Sequence, residues 1–229
     1  MPLLNWNDLN RQVIGCTRCP RLRAFCLKVA REKRKAFQNE EYWGLPVTGF
    51  GDHAAKLLVI GLAPAVHGGN RTGRIFTGDR SGDWLFRALF KAGFANQPES
   101  ISRQDGLQLR EAYVSCINRC APPHNKPLPE EMNHCLPYLR TEIQLLAPTL
   151  KIVIILGQIA LNGFWKLLGS GCRPSFAHGT SVRLPSGTEL LMSYHPSQQN
   201  TFTGRLTEPM FDSVFAEARK ILGIPLNKP

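Results

Sequence analysis

No stretch of this 229-residue chain is apolar for long enough to span a bilayer, so a helical membrane protein is excluded and no membrane partner is expected. The opening MPLLNWNDLNRQ has no basic segment ahead of an apolar core. A cleaved leader is therefore not expected, and the chain is read as cytoplasmic. Internal repeats and low-complexity segments are also missing. Acidic residues are scarce, with 17 Asp and Glu against 28 Lys and Arg, a net charge of +11. Such an imbalance attracts polyanions, and nucleic acid is the first candidate partner. An even set of cysteines is lacking too. Seven cysteines in a cytoplasmic-looking chain argue against a disulfide framework and for metal binding or catalysis.

What the chain does have is apolar runs separated by polar loops. Leu57–Ile60, Ala112–Ile117 and KIVIIL (151–156) read as strands covered on both faces. TSVRL and TELLMSY flank Pro185-Ser186-Gly187 and read as a hairpin. Helices are expected from the Asn7/Asp8 cap toward Cys16, over a basic stretch from 20 to 42, from Ser81 to Gly93, and from Pro129 to Leu146. Two more are expected, from Gly157 to about Leu168 and from Glu208 to Leu222. This alternation predicts a three-layer α/β/α sandwich around a mainly parallel sheet. The expected unit is one domain over 1–229, with residues 1–50 an N-terminal segment. In that segment Arg18, Arg21, Arg23, Lys28, Arg31, Lys33, Arg34 and Lys35 crowd together, a nearly single-signed run suited to phosphate.

In parallel sheets, ligands bind at the carboxyl ends of the strands. Three polar segments fall there: 61–82, 119–129 and 193–205. The first contains GGNRTGRI (68–75), whose glycine spacing is that of a phosphate-cradling loop. However, Arg74 stands where such a loop has Lys, and Ile75 where it has a magnesium-binding hydroxyl, so nucleotide hydrolysis is disfavoured. The loop offers instead glycine backbone, the ring of Phe76 and the carboxylate of Asp79. Phe76 is also readable as a core anchor, and Asp79 as a helix cap. In the second loop, prolines surround Asn125, whose amide both donates and accepts and so suits the edge of a base. The third places His195 at a strand end, facing the other two loops. Cys16 and Cys19 form a CxxC pair, while Cys120 and Cys135 are separated by fourteen intervening residues. Four thiolates so spaced suit zinc or a [4Fe-4S] cluster, and the spacing does not separate them. Cys26, Cys116 and Cys172 read as core residues.

Together, GLAPAVHGGNRTGRIFTGD (61–79), RCAPPHNKPLPEE (119–131) and HPSQQNTFTGR (195–205) resemble the three motifs of the uracil-DNA glycosylase superfamily. The variant is family 5, the iron–sulfur branch often called type b, and GFGD (49–52) and the CxxC pair also fit it. The resemblance runs from about Cys16 to Arg205. It implies a [4Fe-4S] cluster held for structure by Cys16, Cys19, Cys120 and Cys135. It also implies an enzyme acting on DNA at the nucleoid, as a monomer, that hydrolyses the glycosidic bond of uracil and also of hypoxanthine and xanthine. Catalysis is then expected from Asp79, His195 and Asn125. The base would be held by Phe76, Asn125, His195 and backbone at Gly61, Ala65 and Val66. Arg71, Arg74, Lys126, Gln198, Asn200, Thr203 and Arg205 are the expected DNA contacts. Other branches of the superfamily place a water-activating polar residue early in the first motif. Leu62 and Ala63 stand there in this chain, so Asp79 is the carboxylate carried over. The alternative is an iron–sulfur protein that binds nucleic acid without catalysis.

Overall fold

Leu57–Gly61 (β2), Ala112–Cys116 (β3) and Ile152–Leu156 (β4) are buried along their whole length, and Glu189–Ser193 (β6) along all but its first residue. These four run parallel, as continuous apolar strands do when both faces are covered. Phe50–Gly51 (β1) and Ser181–Arg183 (β5) pair antiparallel at the two edges, giving the order β1-β3-β2-β4-β6-β5. The computed structural model describes residues 5–169 and 172–223. The first four residues of the opening stretch and the last six of the expected domain lie outside the described residues.

Alternate strand residues feed two cores. Leu57, Val59, Val114 and Ile154 face the helices Arg80–Lys91 (α4) and Glu208–Ile221 (α8), with Phe86 and Phe215 fully buried between. Leu58, Ile60, Val153 and Ile155 face Pro129–Leu146 (α5) and Gln158–Leu168 (α6), through Leu139 and Phe164. Each such side chain contributes roughly 1.5–3 kcal/mol by leaving water. The expected three-layer α/β/α sandwich is therefore the fold found. Among the described residues, no helix is long and apolar enough to cross a membrane.

The N-terminal segment departs from expectation in two places: the first helix is capped by Asn5 rather than by Asn7 or Asp8, and the second ends early. Trp6–Ile14 (α1) is capped by Asn5, whose side chain accepts from the Asp8 N–H, and it packs through Leu9 and Val13 on Tyr138 of α5. Pro20–Glu32 (α2) then stops about ten residues before the expected end. Lys33 leaves the helix at φ 52, and a short 3-10 turn, Lys35–Phe37, follows. The cause is tertiary. The chain crosses to the first strand-end loop, where the N–H groups of Trp43 and Gly44 bond the carbonyls of Arg71 and Asn70. Two short helices within the site loops, Gly69–Thr72 (α3) and Gln198–Phe202 (α7), are too brief for periodicity to reveal.

Candidate active site

The first loop rises from the carboxyl end of β2, turns through α3 and drops into α4. Phe76 lies on its inner side in a left-handed conformation (φ 52), rare for an aromatic residue. The ring is buried and lies on Gly61, where a Cβ would come within 2.6 Å of the ring edge. Only glycine at the end of β2 lets the ring settle there. The ring faces His195 at a centroid distance of 5.9 Å and an angle of 29°.

Asp79 is the N-cap of α4, its Oδ1 accepting the Gly82 N–H at 3.0 Å. The other carboxylate oxygen lies against Gly68, leaving no room there for a Cβ. Burial lifts the carboxyl to about 6, helped by the charge of Asp83 and opposed by the Gly82 and Ser81 N–H groups and Arg71. The cap reading of Asp79 therefore holds, and the cap uses only one of its two carboxylate oxygens.

His195 follows the last residue of β6 by two positions. Its carbonyl accepts from the Ser197 N–H (2.8 Å) and from the Asn200 side chain (2.9 Å), which fixes the start of the third loop. Burial lowers its ring to about 4. The imidazole is therefore neutral at physiological pH, and it acts as an N–H donor rather than as a cation.

The remaining expected residues divide. Ala65 builds the turn, its carbonyl accepting from Gly68 and Asn70 N–H, while Val66 packs on Cys19 and Cys120. Asn125 stands exposed at the tip of the second loop with φ 56, next to the exposed Lys126. Gln198, Thr203 and Arg205 are exposed, and the Arg205 guanidinium sits 4.6 Å over the Tyr194 ring.

Three expected DNA contacts are corrected. Arg71 is buried under Phe37, bonds the carbonyls of His67 and Gly78, and pairs with Glu40. Arg74 is buried, bidentate to Asp105 (2.9 and 2.6 Å) and bonded to Thr77 and Ser100. Both hold the loop in shape and have no charge to spare for phosphate. Asn200 is occupied by the His195 carbonyl, so it positions the third loop. Two residues that stand out in the structure are not apparent from the sequence. Phe202 is 67% exposed at the end of α7, and Arg80, next to Asp79, lies 4.4 Å over its ring. An aromatic residue inside an otherwise polar strand-end loop was the available signal.

The four expected ligand cysteines gather beside the second loop, where α1, α2, the end of β3 and α5 meet. Cys19, Cys120 and Cys135 are buried and Cys16 is half-buried. Burial pushes the Cys19 thiol up to about 12, and the neighbouring Cys135, Glu131, Cys120 and Cys16 push it the same way. Cys135, Cys120 and Cys16 thus lie within electrostatic reach of Cys19, and thiolates are the ligand type that thiophilic metals take. Among the described residues, no three His, Cys, Asp or Glu side chains are drawn together into a metal-holding arrangement. The Cys26 thiol donates to the Ala121 carbonyl at 3.5 Å and is buried, in keeping with its core reading.

An aromatic platform, a neutral imidazole and a raised carboxyl on one strand-end edge make a site for a flat, carbonyl-bearing ligand. The Uracil DNA glycosylase superfamily model matches residues 48–219. Proteins called type-5 uracil-DNA glycosylase from Mycobacterium bovis and Thermus thermophilus are 47% and 48% identical over 219 and 213 residues. The alignments cover 95% and 92% of this chain, and 82% and 95% of those relatives. The one from Pyrobaculum aerophilum is 42% identical over 213 residues, 93% of this chain and 92% of its own. The chain belongs to the uracil-DNA glycosylase superfamily, in its type-5 branch.

Proposed function

We propose that the chain removes uracil from DNA by hydrolysing its N-glycosidic bond, leaving an abasic site as the first step of base excision repair. The observation that carries this reading is the facing of Phe76 and His195 at the carboxyl ends of β2 and β6, with Asp79 three residues beyond Phe76 at the start of α4. The target base lies inside a duplex, so it must be turned out to reach such a site. Phe76 offers it a stacking face. Phe202, backed by Arg80, is an exposed apolar group of the kind that fills a vacated stack. As the bond between sugar C1′ and base nitrogen breaks, the electron pair leaves with the base. The neutral His195 ring donates a hydrogen bond to the carbonyl oxygen where that charge gathers. Water then bonds C1′ and gives its proton to Asp79, which also opposes the positive charge on the sugar.

Hypoxanthine and xanthine are proposed as further substrates, since each presents a flat ring and a carbonyl to the same groups. Asn125 is proposed to read the base edge when the second loop closes on DNA. Lys126 and Arg205 are proposed as phosphate contacts. Cys16, Cys19, Cys120 and Cys135 would hold a [4Fe-4S] cluster. When bound, it ties the N-terminal helices to the end of β3 and to α5 and takes no part in bond cleavage. The first and third loops contain no Lys, so direct strand scission through a lysine adduct is not expected.

The test is incubation with duplexes carrying uracil, hypoxanthine or xanthine, followed by alkaline cleavage of abasic sites. Cleavage at uracil is expected. No product from any of the three would overturn the proposal and leave DNA binding without catalysis. Borohydride trapping of a protein–DNA adduct would overturn the lysine-free route.

A further inference from the structure

The second carboxylate oxygen of Asp79 lies where a side chain on Gly68 would stand. Its place therefore depends on the separation of two chain segments, one arriving at Gly68 and one arriving at Asp79. A single side chain bridges them. The Arg71 guanidinium donates from Nε to the His67 carbonyl at 2.7 Å and from Nη2 to the Gly78 carbonyl at 3.0 Å. His67 and Gly78 are the residues immediately before Gly68 and Asp79. A planar guanidinium fixes the distance and the angle between its acceptors, which an ammonium on a flexible stem does not. Gly78 sits at φ 70, and a Cβ there would collide with Nη2, so the bridge needs glycine at this position.

The guanidinium is itself held by the N-terminal segment. Nη1 pairs with Glu40, the guanidinium carbon lies 4.0 Å over the centre of the Phe37 ring, and only 8% of Arg71 is exposed. The same segment reaches the loop at three further points. The Trp43 and Gly44 N–H groups bond the carbonyls of Arg71 and Asn70, and the Tyr42 hydroxyl shares a hydrogen bond of 3.0 Å with His67 Nδ1. Burying a cation, even a paired one, is a poor way to gain stability. What this one supplies is a fixed separation between the chain at Gly68 and the chain at Asp79.

We propose that Arg71, clamped by Glu40 and Phe37, is the positioning residue for Asp79, so that residues 37–44 of the N-terminal segment belong to the excision machinery. This rests on the reading of Asp79 as the proton acceptor. Arg71 touches neither the base nor the DNA. It holds the carboxylate where the attacking water gives up its proton. The charged side chains that act on Asp79 are Asp83, on α4, which raises its carboxyl, and Arg71, which lowers it.

Four variants of the full chain separate this role from simple packing: Arg71→Met, Arg71→Lys, Asp79→Asn, and Arg71→Met combined with Asp79→Asn. Each is measured for circular dichroism, for duplex affinity, and for single-turnover uracil excision at saturating enzyme across the acid limb. Arg71→Met is expected to lower the excision rate by about 10²-fold, the loss that follows when a reacting group is displaced by roughly 1 Å. Its acid limb should move above that of wild type, because Asp79 has lost a neighbouring cation, and its duplex affinity should stay at the wild-type value. Arg71→Lys keeps the charge but cannot span both carbonyls, so it should lose rate while its acid limb stays in place. Adding Arg71→Met to Asp79→Asn should cost nothing further, because the arginine acts through that carboxylate. Equal losses from Arg71→Met in the two backgrounds would overturn the proposal. A wild-type rate in Arg71→Lys would overturn it too, even if Arg71→Met did not fold. Weakened duplex affinity with an unchanged single-turnover rate would return Arg71 to the DNA contacts. Asp79→Asn excising at the wild-type rate would overturn the reading of Asp79 itself, and this inference with it.

Discussion

Asp79 divides its work between two oxygens. Oδ1 caps α4 and the other lies at Gly68, so the tasks separate by substitution. Asn is as good a helix cap as Asp. Asp79→Asn should therefore keep the cap, raise the urea midpoint at neutral pH by removing a charge that burial disfavours, and lower uracil excision by about 10²–10⁴. Asp79→Ala should show the same loss of rate and be about 1 kcal/mol less stable than Asp79→Asn for want of the cap. The pH dependence has a definite sign. The carboxyl must be ionised to take a proton, and burial has raised it to about 6, so single-turnover excision should fall as pH drops through 6. Asp79→Asn should lose that limb. Because the folded carboxyl holds its proton more tightly than the unfolded one, the same group makes the fold less stable as pH rises from about 4 to about 6. The His195 ring, lowered to about 4 by desolvation, is neutral from about pH 6 upward. His195→Ala should cost about 10²–10³ in excision rate, a factor that stays constant between pH 6 and 8. Excision by His195→Ala at the wild-type rate would remove it from the chemistry.

At the scale of the element, the first loop depends on absent side chains as much as on those present. A Cβ at Gly68 would enter the Asp79 carboxylate. Gly68→Ala should match Asp79→Asn in lost excision while keeping wild-type circular dichroism. The loop is also held by charge. Asp105 is lowered to about 2: burial works to raise it, but the Arg74 pair and the N–H groups of Leu107, Ile101 and Ser102 outweigh burial. That stability is present above about pH 4 and is lost as pH falls through 2. Arg74→Met would leave Asp105 facing no cation and should cost roughly 3–5 kcal/mol in urea unfolding at neutral pH. Much of this architecture was legible in the sequence. Apolar runs located β2, β3 and β4, the loop after β2 located Phe76 and Asp79, and the hairpin reading located His195 just past β6. The fates of Arg71 and Arg74 were not legible, because their partners Glu40 and Asp105 each lie thirty-one residues away. The early end of α2 was hidden for the same reason, since contacts with the first loop end it rather than any breaker residue.

For the whole molecule, the buried Arg71, Arg74 and Arg119 cancel against Glu40, Asp105 and Glu142, so the net charge of +11 rests on the other groups. Exposed cations such as Lys126 and Arg205 carry the attraction for DNA. In a plot of log affinity for duplex DNA against log salt, Lys126→Ala and Arg205→Ala should each reduce the slope by about 0.9. An unchanged slope in both would place the phosphate contacts elsewhere. The sheet that carries all this ends in a two-residue antiparallel strand on one side and the three-residue strand ending at Arg183 on the other. Such short edges give another chain little backbone to pair with. The fold thereby guards against edge-to-edge aggregation at its two margins, and a mutation that lengthened either strand would put solubility at risk before it touched repair.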